Sequence, residues 1–595
     1  MNSTTTSRPT YFKPYEHREP SDRAALSSAK ETAWQFFAVV ALYLGASYMF
    51  WRVTASFNSE APLFSAAVLA AEVLAFVGLI LFYFDIWGEG DTSMSPPPTS
   101  AKDVGIDEDR PVRIDIFITT FDEPTEIVEP SILDAQKVQT DRGFRTRIFL
   151  LDDGHRTEMQ DLAEIHGVTY LTRPDNRGYK AGNLKEAMFS TDGDFIVICD
   201  ADTRLFPTFL HNTLGYFRDT EVSWVQTPHW FYDLPKGRAI SRLVLKNSPK
   251  LAHKLNAWSL LPRSKFSVGS DPFMNDPDFF FDVIQRRRNR NAASFCCGAG
   301  SIHRREAVLS VALKDQARAA AKLAPKLTQS HIEEPTALLR ICDSRPFEFH
   351  VSEDLYTSIR HQRQGWKSVY HPRVEARMLS PRTVSSWSLQ RMKYAGGTFD
   401  IMARANPLFM KGLPWPTRLH YASTFWSYLS VFWMPILLLS PAISLLTGWS
   451  PVQAYSLEFF QHLVPFLVAH EVAVLFASKG HDINLGRSMN IGLLPMHIRA
   501  AWNVIRGRKP TFVPTPKIPL GRDGQSHLLP HFVVLALFSI AALVGVTQHQ
   551  RAIDGYSTAF LATNLLWLSW NFSMVWRTAR ILFWTDPSLS IQSRG

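Results

Sequence analysis

Cysteine is scarce: four occur in 595 residues, Cys199, Cys296, Cys297 and Cys342. All lie in the central part of the chain and none has zinc-ligand spacing. A disulfide scaffold is excluded, and a reducing, cytoplasm-facing setting for this stretch fits best. Charge is also sparse. Charged residues are 20% of the chain against 46% hydrophobic, which excludes a largely disordered protein. The first thirty residues are polar and do not read as a secretory signal peptide. No GxxxxGK phosphate loop is present, which counts against a transporter driven by a P-loop nucleotide domain. The net charge is +9, but no block of Lys and Arg interleaves with aromatics, so nucleic acid is not an expected partner. The densest basic run, Arg286-Arg287-Arg288-Asn289-Arg290, reads as a solvated helix face.

Long apolar runs are present, at both ends. Two precede the central segment, about Ala33–Trp51 and Pro62–Phe84, the second interrupted by Glu72. Four follow it, about Tyr421–Leu446, Phe459–Ala477, Leu528–Val546 and Ser557–Trp576. Each approaches the roughly 20 residues needed to cross a bilayer. A charge inside a span is expensive, so Glu72 should face protein or a polar path, or be paired locally. Lys479, Arg487, Arg499, Arg506, Arg508, Lys509, Lys517 and Arg522 crowd between the fourth and fifth runs. By the positive-inside rule that stretch, the central segment and both termini should share the cytoplasmic side of an inner membrane. Within it, Met489, Ile491, Leu494, Ile498, Trp502 and Ile505 recur at helical spacing beside arginines, as in an amphipathic interfacial helix.

The central segment alternates strand and helix patterns. Val112–Thr120 ends in Phe121-Asp122-Glu123-Pro124, Arg147–Leu151 runs into Asp152-Asp153-Gly154, and Phe195–Cys199 runs into Asp200-Ala201-Asp202. This predicts an open, mostly parallel α/β sheet with its ligand site beyond the carboxyl ends of the strands. Acidic clusters converging on one rim suit a hard divalent cation, Mg²⁺ or Mn²⁺, that would neutralise a diphosphate leaving group. Asp200 and Asp202 are the candidate metal ligands. Asp153 is a candidate for a base or ribose edge, and Lys180 for a phosphate. Asp354, in Ser352-Glu353-Asp354, is the candidate general base that takes a proton from an attacking sugar hydroxyl. Capping of the next helix by Ser352 is the structural alternative. His229 is either a diphosphate contact or a hydrogen-bonded structural histidine, and the Cys297 thiol reads as a packing group.

Taken in order, LDDG with Asp153, Lys180-Ala181-Gly182-Asn183, Asp200-Ala201-Asp202, Val225 to His229, Phe295-Cys296-Cys297-Gly298, Ser352-Glu353-Asp354, Gln390-Arg391-Met392-Lys393-Tyr394 and Phe512 to Lys517 resemble the motifs of processive family 2 glycosyltransferases. The likeness is to the cellulose synthase and curdlan synthase type, over about residues 33–583. It implies a GT-A domain inserted in a membrane domain of about six transmembrane helices plus interfacial helices. It also implies a UDP-sugar donor, bound by Thr119, Glu123, Asp153, Lys180, His229, Gln390 and Lys393. Cys297, Gly298, Glu353 and Tyr394 would meet the acceptor and channel mouth, and Phe512, Thr515 and Lys517 would form a gating loop. A growing polysaccharide would leave through the bilayer by aromatic stacking, with an export subunit beyond the membrane as a further partner.

The division that follows is a tail at 1–30, two spans in 31–88, the catalytic domain at 105–385 and acceptor-motif and interfacial helices at 386–420. Two spans follow in 421–478, then an interfacial helix and gating loop at 479–527, two spans in 528–583 and a short tail at 584–595. Departures from the resembled pattern matter too. Lys393 stands for Arg and Tyr394 for Trp, which removes a bidentate fork and shrinks a stacking face. Ser352 stands for Thr, and Pro514 for Val in the gating loop. The 307–349 stretch reads as a partly helical insertion. A cyclic di-GMP-binding PilZ domain is not expected within this chain. These features leave β-1,4, β-1,3 and mixed-linkage glucan open. A mannan-type polymer and a non-processive membrane transferase are the alternatives.

Overall fold

The computed structural model describes residues 11–239, 267–323, 343–510 and 524–584. The expected gating loop with Phe512, Thr515 and Lys517 lies outside the described residues, as do Cys342, half of the 307–349 insertion and nearly all of the C-terminal tail.

The central segment forms a seven-stranded sheet in the order β10-β6-β9-β4-β1-β2-β3. Its strands are β1 (Val112–Thr120), β2 (Phe144–Asp152), β3 (Thr169–Leu171), β4 (Phe195–Asp200), β6 (Val222–Gln226), β9 (Ser301–Arg304) and β10 (Lys367–Tyr370). All neighbours pair in parallel except β9, which runs antiparallel to both β4 and β6. Short pairs β5/β11 (Arg204–Leu205, Ala376–Arg377) and β7/β8 (Lys236–Ala239, Ser267–Ser270) stand outside it. Helices α3 (Thr125–Gln136), α4 (Thr157–Ile165) and α5 (Tyr179–Ser190) connect the first strands.

The central strands are buried on both faces, which is why they read as Ile/Val/Phe runs rather than alternating ones. Ile114, Ile116 and Ile118 enter one core layer, Phe117 the other. Register then sets the rim: Thr119 lies opposite both Leu151 and Asp200, and Thr120 opposite Asp152. The acidic strand ends are therefore level with one another.

Beyond β9 come α6 (Arg305–Leu323), α7 (Glu353–Arg363) and α8 (Val384–Arg404). The predicted helical character of the insertion is seen in α6. The apolar runs form α1 (Ser28–Thr54), α2 (Pro62–Asp85), α9 (Trp415–Leu429), α10 (Met434–Thr447), α11 (Leu457–Ala477), α14 (Leu529–Gln550) and α15 (Thr558–Ala579). Helices α9 and α10 are one apolar stretch, broken by a single tight turn at Ser430–Phe432. Among the described residues, five helical stretches are long and apolar enough to cross a membrane. The sixth expected span, α15, matches the others in length but is interrupted by Asn564, Ser569, Asn571, Ser573 and Arg577. Gly45 shows how closely these helices approach: a Cβ there would lie 2.4 Å from Phe76 of α2 and 2.9 Å from Phe466 of α11.

Two sequence expectations need correction. The Arg286–Arg290 run is not a solvated face. Arg286, Arg287 and Arg288 are buried where the sheet domain meets the apolar helices. Arg288 makes paired bonds of 2.8 and 2.7 Å to Asp85 at the end of α2. Arg286 binds Asp91 and Asp282, and Arg287 binds Glu31 of α1. Acidic partners far away in sequence make burial affordable. The amphipathic stretch is also two helices, α12 (Ile483–Gly492) and α13 (Leu494–Ile505), split ahead of Pro495. Met496, Ala500 and Ala501 are buried, and α13 packs on α8. Of the apolar side chains, Ile498, Trp502 and Ile505 stay exposed, with Arg506 4.6 Å over the Trp502 ring. Glu72 is both paired and cavity-facing. It accepts bonds from Arg52 at 2.8 Å and Tyr48 at 3.1 Å, and it lines a space among the helices.

Candidate active site

The site is assembled at the carboxyl rim of the sheet. Asp200, the last residue of β4, has a side chain 48% exposed, and its Oδ1 accepts a 2.5 Å bond from Lys180 Nζ on the first turn of α5. Asp202 is buried, and its Oδ2 accepts the backbone N–H of Leu379 at 2.9 Å. The loop is drawn back to the sheet by Ser131, whose hydroxyl donates to the Ala201 carbonyl at 2.8 Å.

Across from Asp200 lies the loop before β9. Gly298 has φ +85°, a left-handed conformation suited to glycine, and a Cβ there would sit 3.6 Å from Lys180 Nζ and 3.9 Å from Asp354 Oδ2. Gly298 therefore leaves open the gap between the cation and the candidate base. The loop is fixed by Gln226, whose Oε1 accepts the Cys297 N–H at 2.7 Å. Cys296 N–H donates to Ser358 of α7 at 2.8 Å. Cys297 Sγ faces Gln285 Nε2 at 3.1 Å, and burial pushes its thiol well above the ordinary value, as befits a packing residue.

Asp354 sits in the first turn of α7. The capping alternative is corrected: Ser352 makes no side-chain cap, and Asp354 Oδ1 itself accepts the Leu355 N–H at 2.8 Å. Burial raises the Asp354 carboxyl, while that N–H and the Lys180 charge pull it down. Glu353 is pushed up to about 7 by burial and by the neighbouring Asp354. Burial alone would lower Lys180, but Asp200, Glu353 and Asp354 outweigh it and hold the ammonium charged. A cation thus faces three carboxylates.

The other candidates are on the same rim but hold protein atoms. Both Asp153 oxygens bind Arg173, at 2.7 and 2.8 Å, and Arg173 also donates to the carbonyls of Arg177 and Tyr179 ahead of Lys180. Glu123 accepts from Thr120 Oγ1 and Phe121 N–H, both at 2.9 Å, and burial raises its carboxyl. Thr119 Oγ1 donates to the Cys199 carbonyl at 3.2 Å. His229 bonds the Ala299 carbonyl through Nε2 at 2.9 Å, and burial lowers it to about 4, so it is neutral.

Gln390, Lys393 and Tyr394 lie on α8. The first two are half-buried, and Tyr394 is 47% exposed. One turn later Gly397 touches the base segment: a Cβ there would fall 1.9 Å from Ser352 Oγ. Sequence reading missed this contact, as well as Arg173, Gln226, and His350. His350 accepts the Ser352 N–H at Nδ1 and faces Asp400 of α8 through Nε2 at 3.3 Å. The glycine pair 396–397 inside a helix was the one visible signal. The others depend on contacts between distant segments.

Asp200 and Asp202 supply two hard oxygen donors, and no cluster of three or more candidate metal-binding side chains occurs among the described residues. That set suits a divalent ion whose remaining positions are taken by ligand phosphate and water.

Residues 111–396 match a family model described as glycosyltransferase-like family 2. The chain is 28% identical over 439 residues to the UDP-forming cellulose synthase catalytic subunit of Pseudomonas fluorescens (strain SBW25), covering 72% of this chain and 50% of that one. It is 26% identical over 449 residues to cellulose synthase 2 of Novacetimonas hansenii, covering 75% of this chain and 24% of that one. The chain thus spans half or less of the length of these curated relatives. Among solved structures, a mannosyltransferase from Pyrobaculum calidifontis in complex with GDP-Man and Mn²⁺ overlaps 75% of this chain and 100% of its own, with a TM-score of 0.44 at 14% identity.

Proposed function

We propose that the central domain, which matches the glycosyltransferase-like family 2 model over residues 111–396, is of the cellulose synthase type, and that the protein polymerises a UDP-sugar, UDP-glucose first, into a β-glucan. The observation that carries the reading is the gap at Gly298, bounded by Lys180, Asp200 and Asp354.

In this reading the sugar's anomeric carbon lies over Gly298 with the diphosphate toward Lys180. Asp354 takes the proton of the acceptor hydroxyl as that oxygen attacks. The C1–O bond to the β-phosphate breaks, its electron pair leaves with UDP, and the configuration inverts. A divalent ion held by Asp200 and Asp202 would neutralise charge building on the leaving diphosphate. Lys180 adds a fixed positive charge there, in a pocket where burial strengthens it. Neutral His229 keeps its bond to Ala299 and shapes the wall. Gln390, Lys393 and Tyr394 would receive the acceptor, with the exposed Tyr394 ring offering a sugar-stacking face.

A cavity of about 570 Å³ among the membrane helices supports threading of the product. Tyr48, Glu72, Tyr455, Phe466, Trp567, Trp570 and Asn571 are among its lining residues. Most of the lining is apolar, and the aromatic faces within it, with a few hydroxyl, amide and carboxylate groups among them, suit a neutral sugar polymer, which has apolar ring faces and polar edges.

The test is radiolabelled UDP-glucose with Mg²⁺ in membrane vesicles, with product digested separately by β-1,4- and β-1,3-specific glucanases. Asp354→Asn should cost about 10²- to 10⁴-fold in turnover, the usual contribution of a positioned general base. Polymer formation undiminished in that variant would sink the assignment. No polymer from UDP-glucose, but polymer from another UDP-sugar, would move the reading to a different β-polysaccharide.

A further inference from the structure

Ahead of α1 the chain does not trail away as a polar tail. Phe12 is 3% exposed and packs with Ile127, Tyr232 and Leu379. Glu16 Oε1 accepts a 2.7 Å bond from Arg204, and its backbone carbonyl accepts one from Arg377 at 3.0 Å. Arg18 donates to the carbonyls of Tyr232 and Leu234 at 2.9 and 2.5 Å. The Arg382 guanidinium lies 4.9 Å over the Tyr11 ring.

Apart from Ile127 on α3, these anchors fall on three segments, and each of the three carries part of the site. Arg204 follows Asp202 by two residues, and its guanidinium is shared between Glu16 and Asp134, both at 2.7 Å. Tyr232 follows His229 by three. Leu379 gives its N–H to Asp202, and the stretch from Arg377 to Arg382 leads directly to α8 with Gln390. That stretch is held in turn by Asp233, which accepts from Ser380 N–H at 3.0 Å and pairs with Arg382 at 3.6 Å. One short segment therefore ties together the lead-ins to Asp202, His229 and the acceptor motif. The bonds named here that anchor it go to Arg204, Tyr232, Leu234 and Arg377, and none of them is made to α7, which carries Asp354.

We infer that residues 11–18 form a strap that positions Asp202 for binding of the nucleoside diphosphate and its metal. Tyr11, Phe12 and Glu16 are positioning residues, acting through Leu379 and Arg204. The strap stabilises the donor side of the site and leaves the base side alone. This rests on the glycosyltransferase reading, because it presumes that Asp202 serves a diphosphate–metal complex.

The experiment is equilibrium binding of UDP with Mn²⁺ to the purified full-length protein, alongside steady-state kinetics. Phe12→Ala and the conservative Glu16→Gln should each weaken UDP binding by about five- to tenfold, roughly one decade in Kd. KM for the donor should rise by a similar factor, with kcat at saturation and the acid limb of the pH profile unchanged. Lys13→Ala, at an exposed position in the same segment, should behave as wild type. Unaltered UDP affinity in both point variants, with only the melting temperature lowered, would make the strap merely structural and overturn the inference. A fall in kcat at unchanged KM would place its action on Asp354 and overturn it too. If the wild-type protein itself binds no UDP with Mn²⁺, the glycosyltransferase reading fails first and takes the strap with it.

Discussion

Gly397→Ala tests whether α8 sets the position of the base. A methyl at this position would lie 1.9 Å from Ser352 Oγ, 2.9 Å from Ser352 Cβ and 3.0 Å from Val351 Cγ1. Carbon contacts in a packed interior settle near 3.5–4 Å. Rotating the Ser352 hydroxyl away relieves the first clash but leaves the other two about 0.5 Å short. The segment must then move, and Asp354 lies two residues on. Overpacking of this kind costs about 1–3 kcal/mol of stability, which a folded domain tolerates. The catalytic cost is larger, because a misplacement of about 1 Å can lower rate about 10²-fold. The expected result is a fall in kcat of about 10- to 100-fold, with donor KM nearly unchanged since Asp200 and Asp202 stand on other segments. The assay is UDP release with purified protein, with size-exclusion elution checking the fold. Ser352→Gly removes both clashing serine atoms, so the double variant should recover part of kcat. Wild-type kcat in Gly397→Ala, or a rise in KM alone, would refute the proposed coupling between helix and base.

Two further predictions follow from the electrostatics. Because burial holds Asp354 above the ordinary carboxylate range and the reaction needs it ionised, kcat/KM should rise with pH through an acid limb lying above about 3.9. Lys180 pulls that carboxyl down, so Lys180→Met should shift the limb to higher pH; a limb at or below the free-carboxylate value in both proteins would contradict this. Arg288→Ala leaves Asp85 buried without its paired bonds, so it should cost about 3–5 kcal/mol and appear as a lower melting temperature in detergent. Replacing both residues by neutral ones should recover part of that loss, and an unchanged melting temperature in the single variant would show the pair to be inert.

The strand–helix alternation and the level acidic rim were legible in the sequence because they follow from period and position. Val112–Thr120 and Phe195–Asp200 carry their burial in their composition, and Thr119 lies opposite Asp200 because parallel register leaves little choice. Lys180, Asp200, Gly298 and Asp354 come together as their motifs suggest. Asp153 shows where such reading stops. Its carboxylate is bonded by Arg173, in a stretch with no pattern to mark that partner. The arginine run shows the reverse error. Its charge density implied solvent, but Asp91, Asp85 and Glu31, which lie 195, 203 and 256 residues before the arginines they bind, are the partners that let it be buried. The same holds for the strap, where low hydrophobicity concealed a single decisive Phe12 and a set of side-chain-to-backbone bonds.

The buried arginines also explain how the loop before β9, the proposed acceptor loop, can keep its place relative to the apolar helices. Apolar packing fixes a separation but permits sliding and rotation. Paired guanidinium–carboxylate bonds fix direction as well. Arg288 is bound to Asp85 of α2 and to Thr424 of α9, and its guanidinium lies 5.4 Å over the Phe295 ring. Gln285, just before the run, donates to the Phe295 carbonyl and to Cys297 Sγ. Cys297 and Gly298 therefore take their position from the ends of two membrane helices, while Gly298 borders the gap beside Asp354. In the polymerase proposed above, which would hand each lengthened chain from base to channel, the two need a fixed offset. Here that offset is set by charge-assisted bonds, whose angular demands leave the loop little freedom to drift between one transfer and the next.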